Sequence, residues 1–381
     1  MKPLSLIIVM AVIIGALVVF APSAFNTMLA SFPLFKGLQG SAQNTGAIVP
    51  EKAVIFRSIE GGKVWFPQVA IDTSMNIPEV TILDLQYDNQ DSNIIYAGTQ
   101  GDGLYKSVNN GQNWNKLYDR NKMLADNAVI YKVRQDPKNV NNIYISALQN
   151  KYGVFLKSTD GGVSFMQTYI SQLENYPLSA LAINPVSPNI IYIGTAQGGF
   201  LVSTNYGETW QAVKWLTGQI SDLVINPRNT YEIYAVTADR VLFRSTDGGY
   251  TWRDFSSELA RISAFNSVVT FRTDPANQDR LFLAITNGLI KSEDRGRTWK
   301  FVDILIPPQQ LPVDAVAIDP TNPRIVYVGV GAFMYKSEDG GVNWSVLKLD
   351  TQKRISIIAI DPRNPRSIFL GMKQVQQARS F

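Results

Sequence analysis

Short runs of apolar and β-branched residues alternate with polar turns over most of the chain, from about residue 54 to residue 371. One recurring unit consists of an apolar strand, a turn on Asp-Pro or Asn-Pro, and a second β-branched strand, as in LAINPVSPNIIYIG at 181–194 and VAIDPTNPRIVYVG at 316–329. A third short strand, a tight polar turn and a fourth strand follow. Short apolar runs bounded by Pro, Gly, Asn and Asp are typical of antiparallel sheets. The pattern therefore predicts an all-β fold.

The tight turn between the third and fourth strands has a signature of its own, of the form S-x-D-x-G-x-T-W. Neighbouring copies are 42 to 51 residues apart. A repeat of this length is what one propeller blade of four short strands requires. Seven copies predict a single seven-bladed β-propeller. The copies begin at Ser58, Ser107, Ser158, Ser203, Ser245, Ser292 and Ser337.

The two ends of the repeat region complement each other. It opens with only a third and a fourth strand, at 54–57 and from 64 onward, and it closes with only a first and a second strand, at 355–360 and 367–371. We expect the C-terminal pair to complete the N-terminal half-blade, which closes the ring and leaves no open sheet edge. The predicted propeller covers residues 54–373, and residues 374–381 form a tail.

The N-terminus carries an apolar run from Leu4 to Phe20, preceded by Lys2. As a helix it would span roughly 25 Å, which is slightly short of a bilayer core. Small residues at 21–24 suit cleavage, so residues 1–24 are predicted to be a signal peptide or a retained membrane anchor, with the anchor slightly favoured. Lys2 stays cytoplasmic in either case, which predicts an extracytoplasmic propeller. Residues 25–53 are predicted to be a flexible or interfacial linker.

Composition excludes several classes of function. The net charge is only +4, and acidic residues are scattered among the basic ones, so a nucleic-acid partner is not expected. The chain has no cysteine and no histidine, which excludes disulfides, thiolate zinc sites, cysteine nucleophiles and histidine bases. We expect no cofactor and no metal site. Any catalysis would have to use carboxylates, Tyr, Lys or Arg.

The residues of the box are explained by the demands of a tight turn. A short acidic side chain accepts hydrogen bonds from backbone N–H groups, glycine allows positive φ, and tryptophan offers a large packing surface. A catalytic group is needed only once, and a calcium loop would show several oxygen ligands in quick succession. The box residues are therefore predicted to be structural, namely Asp160, Asp247, Asp294, Asp339, Trp252, Trp299 and Trp344.

These boxes resemble the Asp-box, or BNR, repeat over nearly all of residues 54–371. That family includes sialidases, two-propeller xyloglucan hydrolases, sortilin-type receptors and photosystem-assembly propellers. The YxGT…GLYKSxDGGxTW rhythm is most similar to the last two. The resemblance implies that the boxes lie away from the ligand face and identify only the fold. The chain lacks the Arg-Ile-Pro element of sialidases, and it has residues for one propeller, whereas the xyloglucan hydrolases use two.

A ligand is expected on the face opposite the boxes, where the loops after strands two and four converge. Five loop residues are candidates there: Asp102, Tyr152, Trp215, Arg240 and Arg261. Trp215 could stack on a sugar, anchor a partner protein, or simply pack between blades. The two arginines could bind carboxylates or be ordinary surface residues. Asp102 could pair with a base or solvate its turn. No residue is assigned as catalytic.

Three functions remain open from the sequence. The favoured hypothesis is a non-catalytic extracytoplasmic scaffold that binds a protein partner in assembly, sorting or surface interaction. The alternative is a carbohydrate-binding or glycoside-hydrolase-like protein, which would use Trp215 or the loop tyrosines as platforms and loop carboxylates for hydrolysis. The third is a surface structural element without a dedicated ligand.

Overall fold

The computed structural model describes residues 53–68, 77–238, 241–262, 268–304 and 312–374. The predicted N-terminal helix, the linker up to residue 52, Arg240 and the last seven residues lie outside these ranges. Within the part of the chain that the structure describes, the one helix, α1 (Ser256–Leu259), is too short and too polar to cross a membrane.

The described residues form seven four-stranded antiparallel sheets arranged as blades. Blade 1 contains β3 (Ile82–Tyr87), β4 (Ile95–Thr99), β5 (Leu104–Ser107) and β6 (Asn115–Lys116). Blade 2 contains β7 (Val129–Gln135), β8 (Ile143–Gln149), β9 (Tyr152–Ser158) and β10 (Met166–Ile170). Blade 3 contains β11 (Leu178–Ile183), β12 (Ile191–Thr195), β13 (Gly199–Ser203) and β14 (Gln211–Trp215). Blade 4 contains β15 (Ile220–Ile225), β16 (Ile233–Thr237), β17 (Leu242–Ser245) and β18 (Arg253–Asp254).

The remaining blades have the same order of strands. Blade 5 contains β19 (Val268–Thr273), β20 (Leu281–Ile285), β21 (Gly288–Ser292) and β22 (Lys300–Phe301). Blade 6 contains β23 (Ala315–Ile318), β24 (Val326–Val330), β25 (Phe333–Ser337) and β26 (Ser345–Lys348). Blade 7 combines both ends of the described chain: β27 (Arg354–Ile360), β28 (Ile368–Lys373), β1 (Ile55–Ser58) and β2 (Phe66–Pro67).

Blade 7 closes the ring. Strand β1 pairs antiparallel with β28, with Ile55 opposite Gly371 and Ser58 opposite Ile368. The strand order in this blade is β2-β1-β28-β27, so the first strand of the blade comes from the C-terminal end and the fourth from the N-terminal end. The prediction of a seven-bladed propeller closed by strands from both ends is confirmed.

The first strands of neighbouring blades contact one another all the way round the ring. The first strand of each blade therefore lies nearest the centre of the ring. Six of the seven first strands also contain a register shift near their start, as between Ile82 and Asp84 in β3 and between Ile220 and Asp222 in β15. Such bulges bend a strand and re-aim its side chains. They place polar side chains around a central channel.

The hydrophobic core consists of seven clusters, one at each seam between adjacent blades of the described chain. At the seam between blades 3 and 4, for example, Phe200 and Tyr192 pack with Ile220 and Phe243. The repeat therefore has to bury each blade against the next, since a single blade could not cover its own apolar faces.

In all seven box turns the serine hydroxyl accepts the backbone N–H of the glycine four residues later, and the box of blade 4 shows the fullest set of bonds. The Ser245 hydroxyl donates to Asp247 Oδ1 at 2.7 Å and accepts the N–H of Gly249 at 2.8 Å. Asp247 accepts the backbone N–H of Thr251 at 2.9 Å and its hydroxyl at 2.6 Å. Trp252 Nε1 donates to the carbonyl of Gly249 at 2.8 Å. These bonds close the turn and fix the tryptophan over the seam.

The carboxylates of these turns are held in their ionised form. At Asp160, the hydrogen bond from the Ser164 hydroxyl, followed by those from backbone N–H groups and the Ser158 hydroxyl, outweighs burial and lowers the pKa to about 2. Hydrogen bonds to a carboxylate stabilise its charged form. Asp294 and Asp339 make equivalent bonds in their own boxes.

Candidate functional site

The face opposite the box turns, called the loop face below, carries the loops that follow the second and fourth strands of each blade. Asp102 lies in the loop after β4, and both of its oxygens are engaged. Oδ1 accepts the ammonium of Lys116 at 2.7 Å, and Oδ2 accepts the phenol of Tyr105 at 2.6 Å. Burial, followed by this hydrogen bond, raises the pKa of Tyr105 far above its ordinary value, so the phenol stays protonated. Asp102 is therefore part of a closed set of partners.

Tyr152, at the start of β9, belongs to a more open group that also includes residues of the loop between blades 2 and 3. Its phenol donates to Glu174 Oε1 at 3.4 Å, and Lys151 pairs with Glu174 Oε2 at 3.3 Å. The backbone of Tyr152 also bridges that of Tyr176. The Glu174 side chain is 48% exposed, and Tyr176 is exposed as well. We call Lys151, Tyr152, Glu174 and Tyr176 the Tyr152 cluster.

Trp215 ends β14, the outermost strand of blade 3, and is 60% exposed. One part of its indole lies over Gly199 on the neighbouring strand, where an added Cβ would come 3.1 Å from Cζ3. Trp215 is thus exposed, and it is not packed between blades, which was one of the three possibilities left open by the sequence.

The remaining candidates do not join these groups. Arg261 follows α1, is exposed, and forms no ion pair within the described residues. Arg240 lies outside the described residues. His, Cys, Asp and Glu side chains of the described ranges form no group of three or more that could hold a metal ion.

A second polar region, missed by the sequence analysis, lies inside the central channel. Asp222 of β15 is 11% exposed and pairs with Arg272 of β19 at 3.1 Å and with Lys132 of β7 at 3.6 Å. Burial raises the pKa of Asp222, but the nearby cations Lys132, Arg272 and Arg134 lower it by more, so the net shift is downward and the carboxylate stays ionised.

The other side of the channel carries a matching group. The Asp314 side chain is 3% exposed. It accepts hydrogen bonds from Nε and Nη2 of Arg354, at 2.9 and 2.8 Å, and from the ammonium of Lys373 at 2.8 Å. A cavity of about 240 Å³ lies between these groups and is also lined by Ser221. We call Lys132, Asp222, Arg272, Asp314, Arg354 and Lys373 the channel cluster. No sequence motif signals it, because its members come from five different blades.

The closed ring of blades and the box in its turns define a seven-bladed Asp-box propeller. Residues 198–300 match the Sortilin-Vps10 family model, described as sortilin, neurotensin receptor 3. Among curated proteins, the chain is similar to the xyloglucanase Xgh74A of Acetivibrio thermocellus, with 32% identity over 145 residues. That match covers 34% of this chain and 17% of the enzyme, so the chain spans about a sixth of the relative's length.

Solved structures with the same fold include two kinds of propeller. The GH74 xyloglucanase from Xanthomonas campestris superposes with a TM-score of 0.63 and 17% identity, over 77% of this chain and 51% of that one. The structure described as YCF48 bound to D1 peptide superposes with a TM-score of 0.58 and 19% identity, over 78% and 94%. At these identities the likeness shows the fold alone. The neighbours thus include both a carbohydrate-acting and a peptide-bound propeller.

The favoured sequence hypothesis, a non-catalytic scaffold for a protein partner, is wrong on these comparisons. The curated relatives that match the chain are named as xyloglucanases, and GH74 enzymes recur among the structural neighbours. The alternative, a carbohydrate-binding or glycoside-hydrolase-like protein, is the better supported one. The box spacing could not separate the two, because it reflects blade geometry that propellers of different function share.

Proposed function

We propose that this propeller recognises a polysaccharide on its loop face and is a carbohydrate-binding or glycoside-hydrolase-like protein. The observation that carries the proposal is the 60% exposure of Trp215 at the end of β14. Glu174 and Tyr176 of the Tyr152 cluster lie on the loop that leads into the same blade, and the backbone of Tyr152 in blade 2 bridges to Tyr176. The relatives named as xyloglucanases support a polysaccharide as the ligand class.

The chemistry of these side chains suits a sugar ligand. An exposed indole offers a flat apolar face on which the C–H groups of a pyranose ring can pack, at little cost in side-chain entropy. The half-exposed carboxylate oxygens of Glu174 can accept hydrogen bonds from sugar hydroxyls. Tyr152 and Tyr176 add further ring surface beside it.

Hydrolysis would require two carboxyl groups about 5–10 Å apart on either side of the scissile bond. Asp102 is a poor member of such a pair, because Lys116 and Tyr105 occupy both of its oxygens. Glu174 is the loop-face carboxylate to test, since its partners are partly exposed and can be displaced. The extracytoplasmic location predicted from residues 1–24 suits such a ligand and stays a prediction, as do the predicted domain bounds.

Affinity electrophoresis of the full chain in gels containing xyloglucan or other soluble β-glucans tests binding. We expect Trp215→Ala to weaken retention at least tenfold without changing the unfolding midpoint, because the side chain is mostly exposed. The matched control is Tyr231→Ala, which removes an aromatic ring that is 68% exposed on the box side of blade 4. Release of reducing ends, compared between wild type and Glu174→Gln, tests hydrolysis.

Absence of retention on every polysaccharide tested would overturn the proposal. Equal retention of wild type and Trp215→Ala would show that Trp215 is not part of the polysaccharide-binding site. Retention without release of reducing ends would leave carbohydrate binding as the function and exclude the hydrolase for these substrates.

A further inference from the structure

The channel cluster contains more cations than carboxylates. Three basic side chains, Lys132, Arg272 and Lys373, line the cavity of about 240 Å³ together with two carboxylates, Asp222 and Asp314, and Arg354 adds a further cation on Asp314. The next ion pair along the channel joins Arg134 to Asp84 at 2.6 Å, and its one positive and one negative charge cancel. Each carboxylate already has two cationic partners, so neither is free to bind a metal cation. The unbalanced charge in the cavity is positive.

Several N–H donors of these cations have no strong acceptor among the described residues. Lys132 reaches past blade 3 to Asp222, but its ammonium stays 3.6 Å away, beyond hydrogen-bond distance. Arg272 makes its contacts to Asp222, Thr270 and the carbonyl of Phe271 through Nη1. Its Nε and Nη2 are thus available to a further acceptor.

The opposite side of the cavity supplies another donor. Lys373 uses one hydrogen for Asp314, and an ammonium carries three. Its side chain is 33% exposed and lines the same cavity as Lys132 and Arg272. Ser221 also lines the cavity, although its hydroxyl donates to the carbonyl of Val236. Lys132, Arg272 and Lys373, which carry these donors, therefore line one cavity from three blades.

We propose that the central channel binds a small multivalent oxyanion of the phosphate or sulfate class between Lys132, Arg272 and Lys373. Such an ion would accept the unused N–H groups on both sides and balance the excess positive charge. Charge-assisted hydrogen bonds of this kind are strong where water is partly excluded, as it is between these half-buried side chains. The site is separate from Trp215, which lies on the outermost strand of blade 3.

Isothermal titration of the full chain with sodium phosphate and sodium sulfate, at constant ionic strength set by chloride, measures this binding directly. A parallel melting series checks it, since a ligand that binds only the folded state raises the melting temperature. We expect saturable binding of both oxyanions and at least tenfold weaker binding in Lys132→Met and in Lys373→Met. Lys373→Met leaves Arg354 on Asp314, so the pairing of that buried carboxylate is kept.

Two further variants make the result specific. Lys132→Arg keeps the charge and should keep binding within about threefold. Lys214→Met removes an exposed lysine from the outer strand of blade 3 and should bind like wild type. The inference is overturned if neither oxyanion binds more tightly than chloride, or if both methionine variants titrate like wild type. Polysaccharide retention reports on Trp215 independently, so each proposal can fail without the other.

Discussion

A Cβ atom added to Gly249 would overlap the ring of Phe200, which belongs to the preceding blade. The box glycine of blade 4 thus lies directly on an aromatic side chain of blade 3. The same relationship recurs between Gly207 and Phe155, where the added Cβ would come 2.7 Å from a ring carbon. Glycine is required at this place in the box both for its positive φ and for close packing across the seam.

Gly249→Ala should therefore destabilise the propeller more than Gly248→Ala. Both glycines have positive φ, +101° and +80°, which costs a residue with a Cβ about 1–2 kcal/mol. Only Gly249 has the overlap, which we expect to add about 1–3 kcal/mol to the loss of unfolding free energy. At Gly248 the nearest atom to a Cβ is 3.7 Å away, on Tyr231. Denaturant unfolding measures both variants, and equal losses would contradict the packing argument.

The pH dependence of stability should reflect the box carboxylates. The pKa of Asp160 and of Asp247 is about 2 in the folded chain, against an ordinary value of 3.8. A lowered folded pKa means that the stabilisation is complete above about pH 5 and is lost as the pH falls through 3.8 towards 2. We therefore expect the free energy of unfolding to decline over that window in the wild type.

The control for this decline is the double variant Asp160→Asn with Asp247→Asn. The chain itself shows that asparagine fits the position, because Asn109 and Asn205 accept the same backbone N–H bonds in their boxes. The double variant should fold and show a shallower decline between pH 5 and pH 2. If the free energy of unfolding of the double variant declines with pH as steeply as that of the wild type, the acid sensitivity comes from other carboxylates.

The ion pair between Arg244 and Glu232 should be worth far more to stability than a similar pair at the surface. Glu232 is 1% exposed and accepts bonds from Arg244, Tyr234 and Asn226. Arg244→Met would leave a buried carboxylate without its cation, and we expect a loss of about 3–5 kcal/mol in unfolding free energy.

Arg295→Met is the matched comparison, because Arg295 pairs with Asp279 and the two side chains are 43% and 52% exposed. Exposed pairs contribute at most about 1 kcal/mol. Urea unfolding of both variants provides the test. Losses of similar size would show that burial of Glu232 does not control the effect.

Phe369→Ala should weaken the closure of the ring. Phe369 lies on β28, is fully buried, and packs against Tyr87 and Trp114 of blade 1, with ring centroids 5.7 and 6.3 Å apart. Removing a buried phenylalanine costs about 3–5 kcal/mol. Phe66→Ala, in the outermost strand of the same blade and 49% exposed, should cost less than about 1 kcal/mol. If thermal and denaturant unfolding give equal losses of unfolding free energy for the two variants, the seam between blades 7 and 1 is not a main source of stability.

The number of blades and the closure of the ring were both determined by the sequence. These features depend on local signals, because each box and each Asp-Pro or Asn-Pro turn lies within one repeat. The incomplete units at the two ends indicated the shared blade, since an unpaired strand edge is unfavourable. The predicted linker before residue 53, and the signal peptide or membrane anchor before it, stay predictions.

Only the tertiary structure decided what the loop face and the channel present. From the sequence, Trp215 could equally be packed between blades or exposed. The structure shows that it ends the outer strand of blade 3 and is exposed. Asp102 looks like a free acid until Lys116 and Tyr105 are brought to it. The channel cluster joins residues up to 241 positions apart, from Lys132 on β7 to Lys373 at the end of β28, because the blades meet at one axis. Contacts between repeats depend on how the ring closes and on how each bulge aims its side chains, and no single repeat contains that information.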